Sequence, residues 1–243
     1  MAEELEGGNE LQRRAAAKFQ AVARQVVDQG IGPLQGSVAY AEDRLRRARR
    51  AGRSEEQARE AAIRRIVRES VASAGTTGFV TGLGGLITMP VTVPTSVAGN
   101  FVINARLVGT IAHLRGYDLS DPQVQMMIQF VVAGMGIQQV ATELGVKLGE
   151  QAVERVAARA AWAAIEAIPA ILVDKMGVRV GYLLVIRYGT SRTATVLTKM
   201  VPLLGSLVGG TVDASFTRAT AALARKTFPD DAPGISVRAV VVE

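Results

Sequence analysis

From Ser70 to Ala105 the chain runs for 36 residues without a charged side chain. Few folds offer a place for such a stretch, because water must be kept from it either by a protein core or by hydrocarbon. Its centre, GFVTGLGGLITMPVTVP at residues 78–94, carries Gly78, Gly82, Gly84 and Gly85 and two helix-breaking prolines, Pro90 and Pro94. Two arms flank the prolines, about 71–89 and about 95–114. Each is close to the roughly 20 residues that cross a ~30 Å hydrocarbon layer. The first arm is rich in Gly and Thr, and the second carries Asn100, Asn104 and Arg106. Neither suits a full span. The pattern predicts an apolar hairpin over 71–110 that dips into one leaflet, touching lipid through Phe79, Leu83, Leu86, Ile87, Met89 and Phe101.

Composition removes much chemistry. There is no Cys, so disulfides, thiolate metal sites and thiol nucleophiles are excluded, and a single His cannot build a His-rich metal site. Hydrophobic residues reach 49% with only 5% aromatic, which favours lean, closely packed helices over a ring-lined cleft. Mean hydropathy of +0.22 lies between soluble and polytopic membrane values. The start, MAEELEGGNE, is acidic and has no apolar run, which predicts a chain that begins in the cytosol.

Along the chain, residues 1–10 read as a flexible acidic tail. Leu11, Ala15, Phe19, Val22 and Val26 then form one helical stripe, stopped by Gly30-Ile31-Gly32-Pro33. A second helix is expected over about 34–51. Ser54 with Gln57 reads as a capping box, followed by Glu55–Arg59, Glu60–Arg64 and Arg65–Glu69 pairs opposite Ile63, Ile66 and Val67. Ser120 or Asp121 caps a further helix with Pro122 in its first turn, and five glutamines mark its course over 122–144 as a buried core helix. Helices around Trp162 and over 170–188 follow. Residues 199–228 are a Pro-kinked apolar stretch that becomes a basic amphipathic helix, and 229–243 form a tail.

Candidate chemistry is sparse. The glycines at 78–85 satisfy neither nucleotide-loop pattern, whereas Gly78/Gly82 and Gly205/Gly209 have the four-residue spacing of close helix packing. His113 is the one imidazole that could serve as a base, with Asp118 five residues on, across Gly116. Arg44, Arg46, Arg47, Arg49, Arg50 and Arg53 fall within ten residues. Without interleaved aromatics or a recognisable module they do not indicate nucleic acid. A solvated helix end and a membrane-surface anchor both fit. The second gains from position ahead of the uncharged stretch, with Arg106 and Arg115 as basic flanks on its other side.

The order of GFVTGLGGLITMPVTVP, IAHLRGYDL and VPLLGSLVGGTVDASFTRATAALARKTF resembles the EcsC family of bacterial proteins. The likeness covers about residues 55–228, and its motif residues are His113, Gly116, Tyr117 and Asp118, then Pro202, Gly205, Gly209, Gly210 and Asp213. Arg115 stands where the family often has Tyr, and Thr95 where an acid often follows the proline. The family is named for the third gene of an operon whose first two encode an ABC transporter. The resemblance therefore implies a transporter subunit as a partner, and it carries over no catalytic residue, cofactor or metal.

These readings predict an all-α domain of about seven to nine helices over 11–228, folded around or beside the Gly/Pro-broken hairpin. The expected role is a non-enzymatic accessory protein at the inner face of the cell membrane. The alternatives are a hydrolase using His113 and Asp118, or a soluble helical protein with an apolar-ligand cavity built from 71–110.

Overall fold

A computed structural model describes residues 10–75, 95–146, 154–188 and 210–230. Among these the fold is all-α, with nine helices and one two-residue strand pair. The acidic tail (1–9) and most of the C-terminal tail (231–243) lie outside the described residues.

Helix α1 (Glu10–Asp28) buries Ala16, Phe19, Ala23, Val26 and Val27. The dry face is therefore rotated by about one residue from the expected stripe, leaving Ala15 and Val22 at its edge. The expected stop is a tight hairpin, β1 (Gly30–Ile31) against β2 (Leu34–Gln35), with Gly30 opposite Gln35. Helix α2 (Ser37–Arg49) is shorter than expected. The capping box opens α3 (Glu55–Gly75): Ser54 Oγ accepts from Gln57 N, and Gln57 Oε1 accepts from Ser54 N, both at 3.3 Å. All three anticipated acid–arginine pairs form on its wet face, at 3.8, 3.8 and 2.8 Å.

Helix α4 (Thr95–Leu114) is the axle of the fold. Every residue from 99 to 112 is buried, because α1, α2, α3, α5, α8 and α9 all pack against it. A helix that is apolar on all sides needs such a sheath. The second arm of the expected hairpin is thus a core helix enclosed by protein, and Phe101 is fully buried with its ring edge-on to Phe19 at 5.1 Å. Phe79, Leu83, Leu86, Ile87 and Met89 lie outside the described residues.

The 122–144 segment is two helices rather than one: α5 (Pro122–Ala133) and α6 (Ile137–Glu143), bent by 109°. Gly134 causes the break. It adopts φ +93°, and Met135 N closes on Phe130 O at 2.8 Å while Gly134 N bonds Val131 O at 2.9 Å, the hydrogen-bond pattern that ends a helix in a left-handed residue. Helix α5 is buried as expected, Gln129 included. Helix α7 (Glu154–Glu166), α8 (Ala170–Tyr188) and α9 (Gly210–Thr227) complete the described helices. Among the described residues no single helix is long and apolar enough to cross a membrane; α5 with α6, and α7 with α8, meet that length and composition only as sharply bent pairs.

The directions of these helices follow from their contacts. Glu60 at the start of α3 bonds Arg115 just past α4 and Arg225 at the end of α9, so α3 runs antiparallel to both. At the opposite end the Tyr188 ring closing α8 lies 5.0 Å from Phe101 early in α4 and 5.9 Å from Phe216 early in α9. The last turns of α3 and α8 and the first turns of α4 and α9 are therefore gathered at one end.

Candidate functional site

The IAHLRGYDL block forms a turn that stitches the chain's middle to its C-terminal part. Gly116 takes φ +89°, which lets Tyr117 N reach back to Ala112 O at 3.1 Å and ends α4. The reversal sends the Tyr117 ring inward, 4.9 Å from both Trp162 and Phe228. Its hydroxyl donates to Pro229 O at 3.2 Å, and Trp162 Nε1 donates to Thr227 O at 2.6 Å. Burial raises the Tyr117 pKa, with the nearby Glu166 charge adding to the rise. This phenol is a neutral anchor.

Beside it, Arg115 is almost wholly buried and faces two acids. Its Nη2 donates to Glu60 Oε1 at 2.7 Å, and its Nη1 pairs with Asp230. The other Glu60 oxygen accepts from Arg225 Nη2 at 2.7 Å. The position that departs from the family pattern thus carries an ion network across three parts of the fold. Arg115, read in the sequence as a basic flank of the uncharged stretch, is enclosed by protein.

His113 and Asp118 have different surroundings. Burial lowers the His113 pKa, outweighing the attraction of the Glu42 and Asp118 charges. Asp118 Oδ1 accepts from Ser120 N at 2.9 Å and Ser120 Oγ at 2.7 Å, a local turn bond. Asp121 is the helix cap, accepting from Gln123 N and Val124 N, with Pro122 in the first turn. Among the described residues no group of three or more His, Asp or Glu side chains is arranged to hold a metal ion.

Of the second motif, Gly210 opens α9 and Asp213 lies in its first turn, half-buried, with burial pushing its pKa up. Pro202, Gly205 and Gly209 lie outside the described residues.

The arginine run does not present six free cations. Arg44 turns inward: its guanidinium lies 4.6 Å from the Tyr40 ring centre, and it bonds Glu69 at 2.8 Å and also Asp43. Arg46 and Arg47 pair with Asp43, Arg49 is bidentate on Glu55 at 2.7 and 2.9 Å, and Arg53 reaches Ala48 O. Arg50 is exposed. The acids that answer the run lie just before and after it, which a scan within residues 44–53 does not meet. Its turn also lies at the start of α3, whereas the uncharged stretch leaves from the end of that helix, about 30 Å away at 1.5 Å per residue.

Sequence reasoning missed the tertiary members of both clusters. Glu60 registered only as the partner of Arg64, and Tyr40 and Arg225 carried no signal. Their partners lie 29 to 165 residues away.

No curated protein and no solved structure matches the chain. The model of the EcsC protein family does, over residues 8–229, and that span takes in the whole helical assembly from α1 to the Tyr117–Pro229 anchor. The chain belongs to the EcsC protein family.

Proposed function

We propose that the protein is a membrane-associated accessory protein on the cytoplasmic face of the cell membrane, binding lipid or a membrane partner through one apolar end. The observation that carries this reading is the gathering of helix termini described above. Segments 76–94 and 189–209 both connect helix ends at the same end of the fold, held together by the Phe101, Tyr188 and Phe216 rings. Both segments combine apolar residues with Gly and Pro. Their composition and the shared end of the fold from which they leave support attachment by burial of apolar groups in lipid, which salt does not screen. An ABC-transporter subunit remains the partner class that family membership suggests. The inward-turned Arg44 and the paired Arg46, Arg47 and Arg49 support attachment by apolar contact rather than by a basic patch.

Flotation of the full chain with phosphatidylcholine vesicles tests the proposal. The protein is expected to float, to remain bound at high salt, and to lose binding when Leu83 and Leu86 are both changed to Glu. A chain that stays at the bottom of the gradient with every vesicle overturns it. Release by salt alone would instead assign the attachment to surface charge.

A further inference from the structure

We propose that Arg106 is a binding site for a phosphate-class oxyanion. Arg106 projects from the middle of α4, is 7% exposed, and has its guanidinium 4.2 Å from the centre of the Tyr40 ring. Its Nε is sealed from solvent without an acceptor, while Nη1 and Nη2 are not sealed in this way. Among the described residues no carboxylate lies within ion-pair distance of it.

The nearest acid is already committed. Glu69 accepts from Tyr40 Oη at 2.7 Å, Arg44 Nε at 2.8 Å and Arg65 Nε at 2.8 Å. Burial works against its charge, yet those donors together hold its pKa below the usual carboxylate range. The cluster is thus short of negative charge. Arg44 and Arg106 both lie over the Tyr40 ring, and the carboxylate there, Glu69, is shared by Arg44 and Arg65.

A buried guanidinium with an aromatic face but no carboxylate beside it is costly, since buried charges in folded proteins are paired or ligated. Burial and repulsion from Arg44 lower the Arg106 pKa, outweighing the opposing pull of the Tyr40 and Glu69 charges. The planar fork of N–H donors suits two oxygens of a tetrahedral oxyanion better than a point charge does. The neighbouring uncharged stretch, residues 70–105, offers Arg106 no carboxylate. Free phosphate and a phospholipid headgroup share the required chemistry. The proposal stands apart from the membrane reading, because its first arm contains no lipid.

The experiment uses the full chain in two arms at constant ionic strength. In the first, inorganic phosphate replaces chloride while thermal midpoint and calorimetric binding are read. In the second, vesicles of phosphatidylcholine are compared with vesicles containing phosphatidylglycerol. A site open to free anion gives a phosphate-dependent rise in midpoint. A site that takes a headgroup gives no such rise, but binds the anionic vesicles more tightly than the neutral ones. In either case Arg106→Gln is expected to weaken the responding arm by roughly tenfold or more, the scale of a charge-assisted hydrogen-bond pair. The control Arg24→Gln, at an exposed residue of α1, should leave it unchanged. Arg106→Gln should also fold at least as stably as the parent without phosphate, since it removes an uncompensated buried charge. No response in either arm, or a response that survives Arg106→Gln, overturns the proposal.

Discussion

Replacing Glu60 by Gln is expected to destabilise the protein far more than loss of an ordinary helix-surface acid. Glu60 joins three elements with its two oxygens, each accepting at 2.7 Å, one from Arg115 and one from Arg225. Its side chain is 26% exposed, that of Arg115 7% and that of Arg225 36%. Stripping one partner from a buried ion pair costs about 3–5 kcal/mol, while exposed pairs are worth about 0–1 kcal/mol. Arg115 is at the buried limit but keeps Asp230, and Arg225 is close to the exposed limit. Together these place the Glu60→Gln loss at about 2–3 kcal/mol, between the two bounds. For a chain of this size, that lowers the melting midpoint by about 4–12 °C. Combined with Arg115→Met, which removes the buried cation itself, Glu60→Gln should cost less than the two single losses added together. The double variant is therefore expected to show a coupling of about 1–2 kcal/mol in a double-mutant cycle read by urea unfolding. A Glu60→Gln loss below about 0.5 kcal/mol, in the range of surface changes, would refute the claim that the network holds the motif turn to α3 and α9.

Gly134→Ala should cost roughly 1–3 kcal/mol from the left-handed dihedral. It costs more still if Arg187 cannot move, since a Cβ there would lie 1.7 Å from Arg187 Nη1, which bonds Ala133 O and stacks on Phe216. Gly134→Asn relieves only the dihedral part, so denaturation midpoints of the two variants separate the causes, and equal stability of Gly and Ala at this site would contradict the cap. His113 is held neutral by burial. Its unfolded form protonates more readily, so its contribution to stability is complete above the unfolded pKa and is lost as pH falls through the lowered folded value. His113→Gln is expected to flatten that part of the stability–pH curve while leaving membrane distribution and cellular function intact; loss of function at unchanged stability would redirect attention to chemistry at His113 and Asp118.

Local signals in the sequence were legible wherever the interaction closes within one or two turns. The Ser54–Gln57 box, the three acid–arginine pairs of α3 and the Asp121–Pro122 start of α5 all depend on neighbours a few residues away. The break at Gly134 was hidden because apolar residues continue on both sides of it and a lone Gly inside such a run is tolerated in many helices. Helix α4 was misread for a deeper reason. A largely apolar helix has the same composition whether other helices or lipid chains surround it, so only the sheath of six partners reveals which. Arg106 and Arg115 looked like flanking charges because position along the chain says nothing of burial; the ring of Tyr40 and the acids of Glu60 and Asp230 decide it.

The enclosure of α4 also has a consequence for biosynthesis. One wall of its sheath, α9, begins at Gly210, and Tyr117 finds its acceptor only at Pro229, 112 residues later. At roughly 5–20 residues per second, a ribosome needs on the order of 6–20 s to supply that wall after α4 is made. Through that interval the nascent chain carries an apolar rod with part of its covering missing. Whatever holds it during those seconds, chaperone or bilayer, meets α4 before α9 does.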